Sequence, residues 1–172
     1  VELLNIAPIL KEKGFSAEDL YLNTKIGFGF NYVDKSLDIT HDNDAMGEHG
    51  SHVAGIATAN RYIKTENGFV SALEAVKVQG VAPDAQLITM KVFGKNGGAY
   101  DSDYMAAMED AILLGCDVVN LSLGSDNGFA DDGSAASAVY KRLNDAGILF
   151  MTSAGNAGYS SVNNNYGGNT LT

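Results

Sequence analysis

Three short apolar runs constrain the fold most. Residues 86–93 (Gln-Leu-Ile-Thr-Met-Lys-Val-Phe), 116–123 (Cys-Asp-Val-Val-Asn-Leu-Ser-Leu) and 148–153 (Ile-Leu-Phe-Met-Thr-Ser) each run into a glycine-containing turn. Runs of this length read as buried strands of a parallel sheet. Between them lie two stretches of helical period, residues 100–114 and 134–146, stopped by Gly115 and Gly147. Strands alternating with helices imply right-handed crossovers and a parallel sheet, hence an α/β fold. Loops that do chemistry in such sheets gather at the carboxyl ends of the strands. The loops at residues 94–99, from Gly124 and from Gly155 each follow a strand, so they are expected to line one edge.

The rest of the chain adds to this frame. Residues 1–13 place Leu3, Leu4, Ile6, Ile9 and Leu10 near one helical face, and Gly14 ends the run. Residues 25–33 alternate and read as a strand. An acidic loop follows at 34–48, with Asp34, Asp38, Asp42, Asp44 and Glu48. It leaves structural calcium open, but its spacing is not that of an EF-hand, and a solvated loop is the favoured reading. Residues 61–80 are polar, without clear period, and read as a surface excursion. Tyr104, Ala107, Met108, Ala111 and Ile112 recur at helical spacing and read as core.

The 172 residues suit one domain, and 45% hydrophobic content suffices for a core. No apolar run approaches the roughly 20 residues of a membrane span. A net charge of −10 argues against nucleic acid, which calls for a basic face, and fits a soluble or secreted protein. Cys116 is the one cysteine, so no internal disulfide forms, and it reads as a buried, inert thiol.

Residues 47–60, Gly-Glu-His-Gly-Ser-His-Val-Ala-Gly-Ile-Ala-Thr-Ala-Asn, hold the centre of the chemistry. His49 and His52 are three apart and share a helical face. Small apolar residues follow, as a helix pressed into a core requires, and Gly50 and Gly55 leave room for close backbone approach. Read plainly, these are two ordinary histidines at a helix start. The run His49-Gly50-Ser51-His52-Val53-Ala54-Gly55, however, resembles the His-Gly-Thr-His-Val-Ala-Gly motif of the subtilisin-like serine proteases, with Ser51 where threonine is usual.

That resemblance implies a three-layer α/β fold, a central parallel sheet with helices on both faces, here incomplete. It makes His49 the general base and His52 a buried structural histidine. It covers the chain from about Lys25 onward, including Val81-Ala82-Pro83-Asp84-Ala85 and Lys91-Val92-Phe93. The long approach to the histidines resembles the lactocepin-like cell-envelope proteinases. Ser153-Ala154-Gly155-Asn156 is similar to the family's oxyanion segment, which gives Asn156 the role of donor to the oxyanion. Asn156 can equally be a turn residue that tolerates left-handed geometry. Asn120-Leu121-Ser122-Leu123-Gly124 resembles one substrate-binding edge, and Gly97-Gly98-Ala99 corresponds to the opposite rail. A peptide or protein substrate between Gly97, Gly98, Ala99 and Ser122, Leu123, Gly124 would add strand-like hydrogen bonds to both. Each segment is otherwise a simple strand-end turn.

Two members of a serine-protease triad are missing. The aspartate motif Asp-Ser/Thr-Gly does not occur; Asp34 follows a strand but leads into Lys35-Ser36. The serine motif Gly-Thr-Ser-Met-Ala does not occur, and Ser51, Ser122 and Ser153 lie in no nucleophile-elbow pattern. Residues 1–172 therefore read as a partial peptidase domain, cut at both ends from something longer and inactive alone. The resemblance implies a secreted bacterial protein, extracellular or attached to the cell wall, whose catalysis needs no cofactor and no metal. Two alternatives remain: a catalytically dead peptide-binding module, and a metal-dependent hydrolase using His49 and His52 with His41. The second lacks a His-Glu-x-x-His pattern. Gly94-Lys95-Asn96-Gly97-Gly98 is not a phosphate-loop pattern, which disfavours a nucleotide-binding reading.

Overall fold

A computed structural model describes residues 3–42, 44–45, 47–124, 133–153 and 155–156. It divides into two compact units, Leu10–Tyr100 and Val1–Ile9 with Asp101–Thr172. The expected α/β class is observed, with parallel pairing in each unit.

In the Leu10–Tyr100 unit, strand β1 (Ile26–Asn31) pairs in parallel with β4 (Leu87–Lys91), the register running from Phe28↔Ile88 to Asn31↔Lys91. Phe28, Phe30 and Tyr32 are buried, and the rings of Phe30 and Tyr32 meet edge to face at 5.3 Å. A Cβ on Gly29 would lie 2.6 Å from Leu22 Cδ1 and 3.0 Å from Ile39 Cδ1, so a side chain there would require these side-chain ends to shift. Helix α2 (His49–Thr58) stands between β1 and β4 in the chain.

Residues 61–80 are more ordered than their composition predicts. Strands β2 (Tyr62–Thr65) and β3 (Gly68–Ser71) form an antiparallel hairpin, and a single helical turn, α3 (Ala72–Ala75), follows. The hairpin register puts Tyr62, Lys64, Phe69 and Ser71 on one face and Ile63, Thr65, Gly68 and Val70 on the other. Four-residue strands with most side chains exposed leave no period long enough to read. Backbone bonds close the excursion at its base: Ala72 N donates to Arg61 O (2.9 Å) and Gly80 N to Ala59 O (3.0 Å). Beside it, Val81 N donates to Ile56 O (3.0 Å) and Ala82 N to Ala57 O (2.8 Å), which moors the following segment along α2.

Gly80 is the residue this closure depends on. A Cβ there would lie 2.3 Å from Ala59 N and 2.6 Å from the Thr58 carbonyl carbon, both backbone atoms at the end of α2. Overpacking against backbone is relieved only by moving the chain, at about 1–3 kcal/mol. Gly80→Ala is therefore expected to lower the urea midpoint of this unit measurably. An unchanged midpoint would show that the closure yields freely.

In the second unit, α4 (Asp101–Leu114), β5 (Val118–Leu121), α5 (Ala135–Asp145) and β6 (Leu149–Thr152) follow in order. Strands β5 and β6 are parallel, Val118↔Leu149 through Leu121↔Thr152. Gly115 (φ 69°) and Gly147 (φ 77°) end the two helices in the left-handed region, as their positions predict. Ser134 caps α5, its Oγ accepting from Ser137 N at 3.1 Å. Of the expected stripe, Tyr104, Ala107, Met108 and Ala111 are buried, together with Val139 and Leu143 of α5, while Ile112 is half-buried. Tyr140 stacks on Phe150 with ring centroids 5.1 Å apart. Burial, then the neighbouring Tyr140 and Asp101, pushes the Tyr104 phenol well above the ordinary tyrosine range.

Helix α1 (Ala7–Lys13) is shorter than the sequence predicts, with residues 3–6 outside it. Leu3 and Ile6 are buried all the same. Asn5 fixes this segment to α4: its side-chain amide donates to Ala106 O (3.0 Å) and to Asp110 Oδ1 (3.2 Å), and its backbone N–H to the same oxygen (3.3 Å). Asp110 is wholly buried, a carboxylate on an otherwise apolar face that periodicity alone did not flag.

Candidate active site

His49 is the first residue of α2, and its side chain is exposed. A histidine in the first turn points out of the end of a helix toward solvent, where it can exchange protons. Glu48 occupies the N-cap without a side-chain capping bond.

Two expectations for this helix are corrected. His52 is exposed, not buried, and none of the α2 residues is buried; Ile56 is 57% exposed. Within its unit the C-terminal end of α2 takes the backbone bonds from Gly80, Val81 and Ala82, and Val53, Ala54, Gly55 and Thr58 are half-buried. Gly50 and Gly55 also meet open space: a Cβ on either would have no neighbour within 4 Å.

The approach to His49 is built from hydrogen bonds. Asn31, buried at the end of β1, donates through Nδ2 to Asp34 Oδ2 (2.8 Å) and Asp38 O (3.0 Å), while its Oδ1 accepts from Val33 N (3.1 Å) and Asp34 N (2.9 Å). Asp38 Oδ1 accepts from Thr40 N (2.9 Å) and Thr40 Oγ1 (2.6 Å). The Thr40 hydroxyl and amide together hold the Asp38 carboxyl below the usual carboxylate range. Lys91, the last residue of β4, donates to Thr40 O (2.5 Å) and forms an ion pair with Asp44. Asp34, Asp38 and Asp44 of the acidic loop thus each take an internal partner. Asp34, the weak aspartate candidate, closes the turn after β1.

The predicted rail at Gly97, Gly98 and Ala99 lies in the same unit as His49. Gly97 (φ 75°) and Gly98 (φ 81°) adopt left-handed geometry, and Gly97 N donates to Gly94 O at 2.9 Å. Gly98 is exposed, and a Cβ on it would meet nothing within 4 Å. Ala45 N donates to Lys95 O at 3.0 Å, joining this loop to the histidine approach.

The other predicted residues belong to the second unit. Ser122, Leu123 and Gly124 follow β5, and exposed Asn156 comes shortly after β6. Ser153 N donates to Leu121 O at 3.3 Å, extending the β5–β6 pairing by one step toward both loops. Ser122 Oγ accepts from Asn120 Nδ2 at 2.8 Å, a partner that gives it no base. His49 thus falls in the same unit as the 97–99 rail, and Asn156 in the same unit as the 122–124 edge. Cys116 is half-buried rather than buried as expected; burial, then the Asp117 charge, raises its thiol and so disfavours the thiolate.

Sequence reasoning missed the contacts of Lys91 with the histidine approach. A single lysine in the apolar run Leu-Ile-Thr-Met-Lys-Val-Phe was the available signal, because a charge inside a run that reads as a strand kept from water calls for a partner; β4 is in fact half-buried throughout. Among the described residues no group of three or more His, Cys, Asp or Glu side chains gathers to hold a metal. A metal-hydrolase reading of His41, His49 and His52 has no such cluster to build on there.

Comparison with known proteins bears on these positions. A family model for the subtilases matches residues 12–170. The chain belongs to the subtilase family. PI-type proteinase of Lactococcus lactis subsp. cremoris is 39% identical over 143 residues, covering 81% of this subtilase chain and 7% of the relative. Minor extracellular protease Vpr of Bacillus subtilis is 36% identical over 135 residues, covering 76% of the chain and 15% of the relative. The chain thus spans a small part of the relatives it matches. The lactococcal relatives bear out the lactocepin-like branch expected from the long histidine approach. A solved structure of a mutant protease domain of PatA superposes with a TM-score of 0.53 at 24% identity, over 69% of this chain and 39% of that one, which supports the fold.

Proposed function

We propose that this subtilase segment supplies the base, the oxyanion donor and the two substrate edges of a secreted or cell-wall-associated bacterial serine endopeptidase. The exposed His49 at the opening of α2, within a subtilase-family match, carries this reading. A serine hydroxyl from another part of the polypeptide attacks the peptide carbonyl, and the His49 imidazole takes the hydroxyl proton as that bond forms. The carbonyl oxygen becomes an oxyanion, and the Asn156 side-chain amide donates a hydrogen bond to it. His49 then gives the proton to the leaving amine, and the acyl-serine is hydrolysed by water. An aspartate, also from elsewhere in the polypeptide, orients His49. The substrate lies extended between Gly97–Ala99 and Ser122–Gly124 and pairs with their backbone. No cofactor enters these steps.

Residues 1–172 hold neither the serine nor the aspartate motif, so the isolated chain is proposed to have little or no activity. The coding sequence on either side of this segment tests the reading. An Asp-Ser/Thr-Gly motif upstream and a Gly-Thr-Ser-Met-Ala motif downstream are expected. If both are degraded, hydrolysis fails as the function, and the groove is better studied as a peptide-binding site.

A further inference from the structure

Lys91 and Asp44 differ from the other ion pairs described. Arg61–Asp84 and Lys141–Asp145 are solvent-exposed and Arg142–Glu109 partly so, and such pairs add little. The Lys91 and Asp44 side chains are only 12% and 11% exposed. A pair so far out of water is held firmly, because separating it would leave a charge without solvent or partner. Lys91 also donates to Thr40 O (2.5 Å), so one ammonium grips the segment before α2 at two points.

The consequences of that grip run in two directions. Toward the helix, Asp44 N donates to His41 O (3.0 Å), Gly47 N to Asp44 O (3.0 Å) and, in the first turn of α2, His52 N to Glu48 O (2.9 Å). Toward the rail, Ala45, next to Asp44, donates its N–H to Lys95 O, four residues beyond Lys91. Lys91 itself is fixed in β4 by pairing with Asn31 of β1, and Lys91 O accepts from Tyr32 N at 2.8 Å.

We propose that the Asp44–Lys91 pair is the positioning element that sets His49 and the Gly97–Ala99 rail in one frame. It does so by fixing the segment before α2 to the end of β4. The relevance to catalysis rests on the proposed role of His49 as base; the placement itself does not. Neither residue touches substrate in this account. Both act through the loop.

The test uses the 172-residue chain and does not involve turnover, so failure of the protease reading would leave it intact. The His49 imidazole proton signals and backbone amide exchange are followed by NMR in Lys91→Met, Lys91→Arg and Asp44→Asn. The methionine and asparagine variants are expected to shift the His49 ring signals and to speed exchange at Ala45 and Gly47 at least tenfold. The β2–β3 hairpin amides should keep their rates, and arginine, which keeps the charge, should restore the His49 signals at least in part. Unchanged His49 signals and Ala45 exchange in Lys91→Met would overturn the proposal. So would a uniform rise in exchange across residues 26–91 in the near-isosteric Asp44→Asn, which marks general destabilisation. If Lys91→Met fails to fold, Asp44→Asn decides by the same readings.

Discussion

Replacing His49 with alanine, in a polypeptide that joins this segment to the serine and aspartate motifs, is expected to lower kcat about a millionfold. That is the loss known for removing the histidine of a subtilisin, a member of this family. The size follows from the division of labour. Without a base the serine hydroxyl stays protonated at neutral pH, and its nucleophilicity falls with it. KM should change little, because in the proposed mode the glycine rail would bind substrate by its backbone, and an exposed side chain in the first turn of α2 would contribute little to that binding. A kcat within a factor of ten of wild type would remove His49 from the mechanism. His52→Ala serves as the internal comparison. It lies one turn further along the same exposed helix face and is expected to leave kcat nearly unchanged.

Asn156→Ala should cost roughly 100- to 1,000-fold in kcat, about 2.7 to 4 kcal/mol of transition-state stabilisation, a range taken from a subtilisin. The hydrogen bond it removes is strongest when negative charge has formed on the carbonyl oxygen. Ground-state binding gains little from it, so KM should move far less than kcat. Asn156 is exposed in the turn after β6 and has no buried side chain to leave a cavity, so the substitution is not expected to unfold the chain. Equal losses in kcat and in thermal stability would mean that Asn156 is a turn residue and nothing more. Peptide hydrolysis measured over a range of substrate concentrations separates the two roles.

Much of this architecture was legible because the runs that carry it have a physical signature. The strands at 87–91 and 118–121 are short, apolar and bounded by turns, and glycine closes both long helices of the second unit. The Tyr104–Ala111 stripe was readable for the same reason: its period matches a helix, and it is buried. The hairpin at 62–71 was not readable, because two strands of four residues with exposed aromatics show no period. His52 misled in another way. Its small apolar neighbours fit a buried helix, but burial depends on what lies against α2, and sequence around the helix carries no record of that. Asp110 and Lys91 share a different lesson. Each is a charge in an apolar run, and each proved to be a fixed point: Asp110 receives Asn5, and Lys91 holds Asp44. Unexplained charges in otherwise apolar elements therefore marked tertiary contacts that periodicity could not.

The candidate site was legible by motif and only partly by geometry. His49, Gly97, Gly98 and Ala99 fall within one unit, joined by the Ala45–Lys95 bond. Ser122, Leu123, Gly124 and Asn156 fall in the other, after adjacent parallel strands. Spacing could assign each group to a strand end. The bond network that fixes the histidine approach involves residues as far apart as Thr40 and Lys91, a separation of 51, beyond the reach of any local pattern.

Casein turnover by the purified 172-residue chain tests the central claim most directly, namely that this segment carries a base, an oxyanion donor and substrate edges but no nucleophile. The account predicts no cleavage above background, and no difference between the wild-type chain and His49→Ala. Efficient cleavage that His49→Ala abolishes would contradict it, because a nucleophile would then lie within these 172 residues.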